Sequence, residues 1–134
     1  MNLPDLPKKA KKREASFGLA FREWVLQSKT PSGIYELKQT TKDYISFDAV
    51  TQGQISWLLR AGTQEGALFK PSDMAPGEKP CDYWYIKDGV GMIVIKYPQG
   101  FVIIPVRDFI AERERSDRRS LTWDRAKELD VKAP

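Results

Sequence analysis

Histidine is absent from the 134-residue chain. This absence excludes Ser-His and Cys-His catalytic triads and zinc sites with imidazole ligands. Any chemistry must therefore come from carboxylates, lysine, tyrosine, hydroxyl side chains and water.

Cysteine and long apolar runs are scarce as well. Cys81 is the single cysteine, so no disulfide framework is expected. The first seven residues lack the apolar core of a signal peptide. No apolar run approaches the roughly 20 residues that a membrane-spanning helix needs. We expect a protein that works in a reducing cytoplasm, without membrane contact.

Positive charge is concentrated near the N-terminus, and lysine and arginine outnumber aspartate and glutamate by 22 to 18. The predicted organisation is a flexible basic arm over residues 1–13 and one folded domain over residues 14–134. Such an arm is attracted to a polyanion, most commonly nucleic acid, although it could also be a solubilising tail. The candidate DNA-binding residues of the arm are Lys8, Lys9, Lys11, Lys12 and Arg13.

The segment Ser32–Gln39 predicts a strand from Ile34 to Gln39 with two charged residues on one face. Side chains alternate between faces along a strand, so Glu36 and Lys38 point one way while Tyr35 and Leu37 point the other. A metal ion bound by the carboxylate and a phosphate near the ammonium group could then lie side by side, which suits phosphodiester cleavage. The alternative is an ion pair on a solvated face.

The segment Phe47–Gly62 predicts a helix that begins at Asp48 and ends at Gly62. Gln54 falls beside its apolar stripe, and an amide in that position needs hydrogen-bond partners. It could cap the backbone of a strand, or it could reach the face that carries Glu36 and hold a water or a phosphate there.

The rest of the chain predicts a further set of helices and strands. Asp88-Gly89 is a typical β-hairpin turn and predicts pairing of the strands on its two sides. The element order predicts a single-domain α/β fold with a mixed central sheet flanked by helices. The remaining predicted helices lie at 14–28, 109–115 and 123–129, and the strands at 66–70, 83–86, 92–97 and 101–104.

Three segments together resemble a known superfamily. Gly33–Thr40 with its Glu-x-Lys motif, the helix with Gln54-Ile55, and the strand pair Gly91–Tyr97 and Phe101–Ile104 are similar to the PD-(D/E)XK nucleases. Within that superfamily the chain looks like the RecU-type Holliday junction resolvases and related phage proteins. The resemblance implies a restriction-endonuclease-like fold and Mg²⁺- or Mn²⁺-dependent cleavage of DNA, including branched DNA, by a homodimer.

The resemblance also implies roles for individual residues. Glu36 would be a metal ligand, Lys38 would orient the attacking water and stabilise charge on the phosphate, and Gln54 would join them in catalysis. Glu14 is similar to a glutamate on the first helix of the family and would be a further metal ligand.

The family pattern places an aspartate on a strand before the Glu-x-Lys strand, but this sequence has no aspartate between Leu6 and Lys42. Either the site has lost its metal or the acid has moved. Asp82 is the expected replacement because it directly precedes an apolar strand, and Asp73 is the reserve candidate.

Two other interpretations remain open. The missing aspartate also fits a nuclease-like fold that only binds DNA or a protein. The segments Gly33-Ile34-Tyr35 and Tyr44-Ile45-Ser46 resemble the GIY-YIG nuclease pattern, with Ser46 in place of its glycine.

Overall fold

Strand β5 (Val90–Tyr97) lies at the centre of the main sheet because its sequence is apolar on both faces. Ile93, Val94 and Ile95 are fully buried. Such a strand needs a partner on each side and cover on each face. It pairs in parallel with β1 (Gly33–Gln39) and antiparallel with β6 (Gly100–Pro105). The predicted mixed sheet is thus confirmed.

Helices cover both faces of this sheet. On one face, Phe17 and Phe21 of α1 (Lys8–Gln27) form a cluster with Val94 and Ile103. On the other face, α2 (Gln52–Ala61) and α3 (Val106–Arg115) pack with the remaining strand residues. The buried residues of this larger cluster include Ile55, Leu58, Ile93, Ile95, Val102, Ile104 and Phe109.

This computed structural model describes residues 8–28, 30–71 and 81–132, with side chains from Ser16 onward. Two small antiparallel sheets accompany the main sheet. One pairs β2 (Tyr44–Ser46) with β7 (Ser120–Thr122), and the other pairs β3 (Ala67–Phe69) with β4 (Trp84–Ile86). A 3₁₀ turn, Phe47–Ala49, precedes α2. The last helix, α4, spans Trp123–Leu129.

The predicted hairpin at Asp88-Gly89 is wrong. The strand before it, β4, pairs with β3, and the strand after it, β5, pairs with β1 and β6. The turn instead bonds to other parts of the chain, since the amide of Gly89 donates to the carbonyl of Ala61 and that of Val90 donates to Ser32. A strand as apolar as β5 buries more of its apolar surface inside the main sheet than in an isolated two-stranded hairpin.

The predicted start of the second helix is also wrong. Asp48 lies within the 3₁₀ turn, and α2 begins after Thr51, whose hydroxyl accepts a hydrogen bond from the amide of Gln54. The predicted end is confirmed, because Gly62 is the C-cap residue.

Helix α1 begins at Lys8, whereas the pattern predicted a start at Glu14. The backbone of the basic segment Lys8–Arg13 is therefore helical, while its side chains and residues 1–7 lie outside the described residues. Strands β2 and β7 were not predicted, since three residues are too few for a clear alternation.

Within the described residues, no helix is both long and apolar enough to cross a membrane.

Candidate functional site

Glu36, Lys38 and Gln54 meet on the face of the main sheet that α2 covers. The side-chain amide of Gln54 donates to Oε1 of Glu36 at 3.0 Å. The Lys38 Nζ atom lies 3.4 Å from the same oxygen. The side chains of Lys38 and Glu36 keep 21% and 29% of their surface exposed, so water and a ligand can reach them.

The alternation of β1 places the two charged residues on that face. Tyr35 and Leu37 point to the opposite face and pack against the cluster of Phe17 and Phe21, as the strand pattern predicted. Burial raises the pKa of Tyr35, and its hydroxyl donates to the carbonyl of Pro31 at 2.7 Å. Tyr35 is thus a packing residue rather than part of the charged face.

A capping box holds Gln54 in place. Its side-chain Oε1 accepts a hydrogen bond from the backbone N–H of Thr51 at 2.9 Å, while the backbone N–H of Gln54 donates to the hydroxyl of Thr51 at 3.2 Å. With Oε1 committed to the helix cap, the NH₂ group is directed at Glu36. Gln54 therefore caps its own helix, rather than a strand backbone, and contacts the candidate site as well. The sequence signal was Thr-x-x-Gln at the helix start.

Gly91 brings α2 close to the sheet. A Cβ atom at this position would lie 2.0 Å from the carbonyl oxygen of Leu58. Gly91 is also the β5 partner of Ile34 in β1. The missing side chain therefore lets the helix backbone sit directly on the sheet, near the strand residues that Gln54 must reach.

The arrangement joins a carboxylate, an ammonium group and an amide. Glu36 can coordinate a hard cation through an oxygen, and Lys38 can offset negative charge on a neighbouring phosphate. Because Mg²⁺ is commonly held by one or two protein carboxylates with water and substrate phosphates, Glu36 supplies the minimum donor set. Within the described residues, no group of three or more His, Cys, Asp or Glu side chains could hold a metal ion.

Among the described residues, no other predicted site residue contacts Glu36, Lys38 or Gln54. The described part of α1 packs on the opposite face of the sheet from Glu36, and the side chain of Glu14 lies outside the described residues. Asp82 is exposed and precedes β4, in one of the small sheets. Asp73 and the basic side chains of the predicted arm lie outside the described residues.

Comparison of the chain with models of protein families, with curated proteins and with solved structures finds no match. The resemblance to PD-(D/E)XK nucleases therefore rests on the sequence segments alone.

Proposed function

We propose that this protein is a metal-dependent endonuclease that hydrolyses phosphodiester bonds in DNA. The observation that carries the proposal is the convergence of Gln54 and Lys38 on one oxygen of Glu36, at 3.0 and 3.4 Å. An isolated surface ion pair does not require an amide from another element, whereas a site that must fix a carboxylate does.

In this proposal each side chain has a separate task. Glu36 holds Mg²⁺ or Mn²⁺ with its carboxylate, and Gln54 fixes the orientation of that carboxylate. Lys38 binds the scissile phosphate and stabilises the charge that develops on it. The bound metal would supply an activated water and further charge neutralisation.

The substrate class follows from the resemblance. We infer a preference for branched DNA and action as a homodimer, because two strands of a junction need one site each. Sedimentation of the protein alone and with a four-way junction tests whether it acts as a homodimer.

The test is cleavage of linear and four-way DNA with Mg²⁺, with Mn²⁺ and with a chelator. We expect metal-dependent cleavage by the parent protein and a loss of about 100-fold or more in Glu36→Gln and in Lys38→Ala. Parent-rate cleavage by either variant would contradict the assignment. Asp82→Asn, assayed alongside, is expected to lose cleavage as fully as Glu36→Gln if Asp82 supplies the second carboxylate.

A matched control is the ion pair between Asp124 and Lys127 on α4, which has the same separation of 3.4 Å. Both partners are more than half exposed. Asp124→Asn and Lys127→Ala are therefore expected to cut DNA at the parent rate.

The second candidate function is a DNA-binding domain that does not cut. It is favoured by the lack of a group of three or more metal-ligating side chains in the described part of the chain. If it is correct, the parent protein binds DNA but cleaves neither substrate with either metal.

A further inference from the structure

A surface rich in exposed rings lies on the β3–β4 hairpin and the adjoining side of α2. We call it the ring surface. Tyr83, Trp84 and Tyr85 are 54%, 45% and 56% exposed, and Trp57 of α2 is 38% exposed. The ring of Phe69 links the hairpin to the helix, with its centroid 6.2 Å from that of Trp57 and 6.1 Å from that of Trp84.

The antiparallel register divides the rings between two faces of the hairpin. Phe69 pairs with Trp84, and Leu68 pairs with Tyr85, so adjacent pairs point in opposite directions. The ring of Phe69 lies between those of Trp57 on α2 and Trp84, while Tyr85 stands on the other face of the hairpin. Packing against α2 accounts for the rings on one face of the hairpin only, so the rings on the other face need another explanation.

Cations lie over two of these rings. The guanidinium carbon of Arg60 is 4.7 Å from the ring centroid of Trp57, and Nζ of Lys70 is 5.3 Å from that of Tyr83. Each pairing sets an aromatic face beside a positive charge. A nucleotide offers the matching combination, a base that stacks on a ring and a phosphate that pairs with a cation.

The ring surface adjoins the candidate site through α2. Trp57 follows Gln54 by three residues, so the two side chains lie on neighbouring positions of the same side of the helix. Three residues of helix rise about 4.5 Å, so the two side chains lie within one turn of each other. A strand whose phosphate lies at Lys38 could therefore place a nearby base on Trp57.

We propose that the ring surface binds unpaired nucleotides of DNA by base stacking. Asp82 and Asp88 stand at the two ends of β4, so net positive charge is modest there and stacking supplies most of the affinity. The inference rests on the proposed function only in taking DNA as the ligand.

The experiment measures binding of a fluorescent oligothymidylate of about 12 nucleotides, without metal, at several salt concentrations. Tyr83→Ala and Trp84→Ala are each expected to weaken binding by about 5- to 100-fold and to leave the salt slope unchanged. Lys70→Ala is expected to make the slope shallower by about 0.7, the contribution of one phosphate contact on a single strand.

Tyr44 provides a matched control, since it is 42% exposed and has Lys42 over its ring at 5.7 Å, but belongs to the β2–β7 sheet. Tyr44→Ala should bind as the parent does. An equal loss in Tyr44→Ala, or parent affinity in both Tyr83→Ala and Trp84→Ala, would overturn the proposal. Thermal unfolding confirms that the variants fold, and Tyr83→Phe should retain binding.

The outcomes separate this inference from the nuclease proposal. A protein that cuts nothing but loses oligothymidylate binding in Tyr83→Ala supports the ring surface and contradicts the nuclease. A protein that cuts DNA but binds oligothymidylate equally well with and without Tyr83 contradicts the ring surface alone.

Discussion

At the scale of single residues, Glu112 is the buried charged group among the described residues, with 5% of its surface exposed. Its carboxylate accepts hydrogen bonds from Arg125 Nε at 2.9 Å and from Arg115 Nη2 at 2.9 and 3.0 Å. These bonds, led by that from Arg125, lower the pKa of Glu112 although burial opposes them. The carboxylate thus ties α3 to α4. The sequence showed only a charged run at this position.

Glu112→Gln is expected to reduce the free energy of unfolding by about 1–3 kcal/mol at neutral pH. The cost stays in this range because both arginines keep contact with water. Since the folded pKa is lowered, the carboxylate stabilises the fold above its ordinary pKa, and this contribution is lost as the pH falls through the folded value.

Urea unfolding of the parent and of Glu112→Gln between neutral and acidic pH measures this effect. The difference in stability should shrink as the pH falls below about 4.5. Glu114→Gln, on the exposed side of the same helix, is the control and should match the parent. A difference that stays constant with pH would contradict the assignment.

At the scale of elements, the contact of α2 with β5 determines whether Gln54 reaches Glu36. Gly91→Ala is expected to push α2 away from the sheet, because the new methyl group would meet the carbonyl of Leu58. We expect destabilisation of about 1–3 kcal/mol and a fall in cleavage rate.

The control lies in the same helix. A Cβ atom at Gly53 would meet nothing closer than 4.0 Å, so Gly53→Ala should stabilise the protein by about 0.5–1 kcal/mol. Chemical denaturation measures both variants. Equal stability of Gly91→Ala and the parent would show that the helix can shift without cost.

The elements also show what could be predicted from the sequence. The placement of Glu36 and Lys38 on one face of β1 was predicted correctly, because the alternation of side chains is a local property of a strand. The Asp88-Gly89 hairpin was predicted wrongly because strand pairing is non-local, and a turn sequence does not reveal that β5 finds better partners in β1 and β6. The contact between Gln54 and Glu36 depends on the packing of α2 on β1, and the spacing of the two residues in the sequence does not specify that packing.

At the scale of the whole molecule, the net charge of +4 favours binding to a polyanion. Replacing the four lysines between residues 8 and 12 by glutamine should weaken DNA binding. It should also flatten the dependence of log affinity on log salt by about 0.9 for each duplex phosphate contact that is lost. Turnover at saturating DNA should stay near the parent value.

Binding titrations over a range of salt concentrations measure this slope. Replacing the same lysines by arginine keeps the charge and is expected to keep the slope. If the glutamine variant has the parent slope, this segment makes no contact with phosphates.

β1 is an edge strand of the main sheet, so a substitution of Glu36 or Lys38 also changes a sheet edge. The other edge strand, β6, is covered by the C-terminal segment. The backbone N–H of Ile103 in β6 donates to the carboxylate of Asp130, and the carbonyl of Ile103 accepts from the backbone N–H of Val131. On β1 the charged pair instead discourages the backbone from adding a strand of another molecule. Glu36→Gln and Lys38→Ala each remove one of these two charges, and we expect both variants to self-associate more readily than the parent. Sedimentation of the two variants and the parent at the same concentrations measures this association.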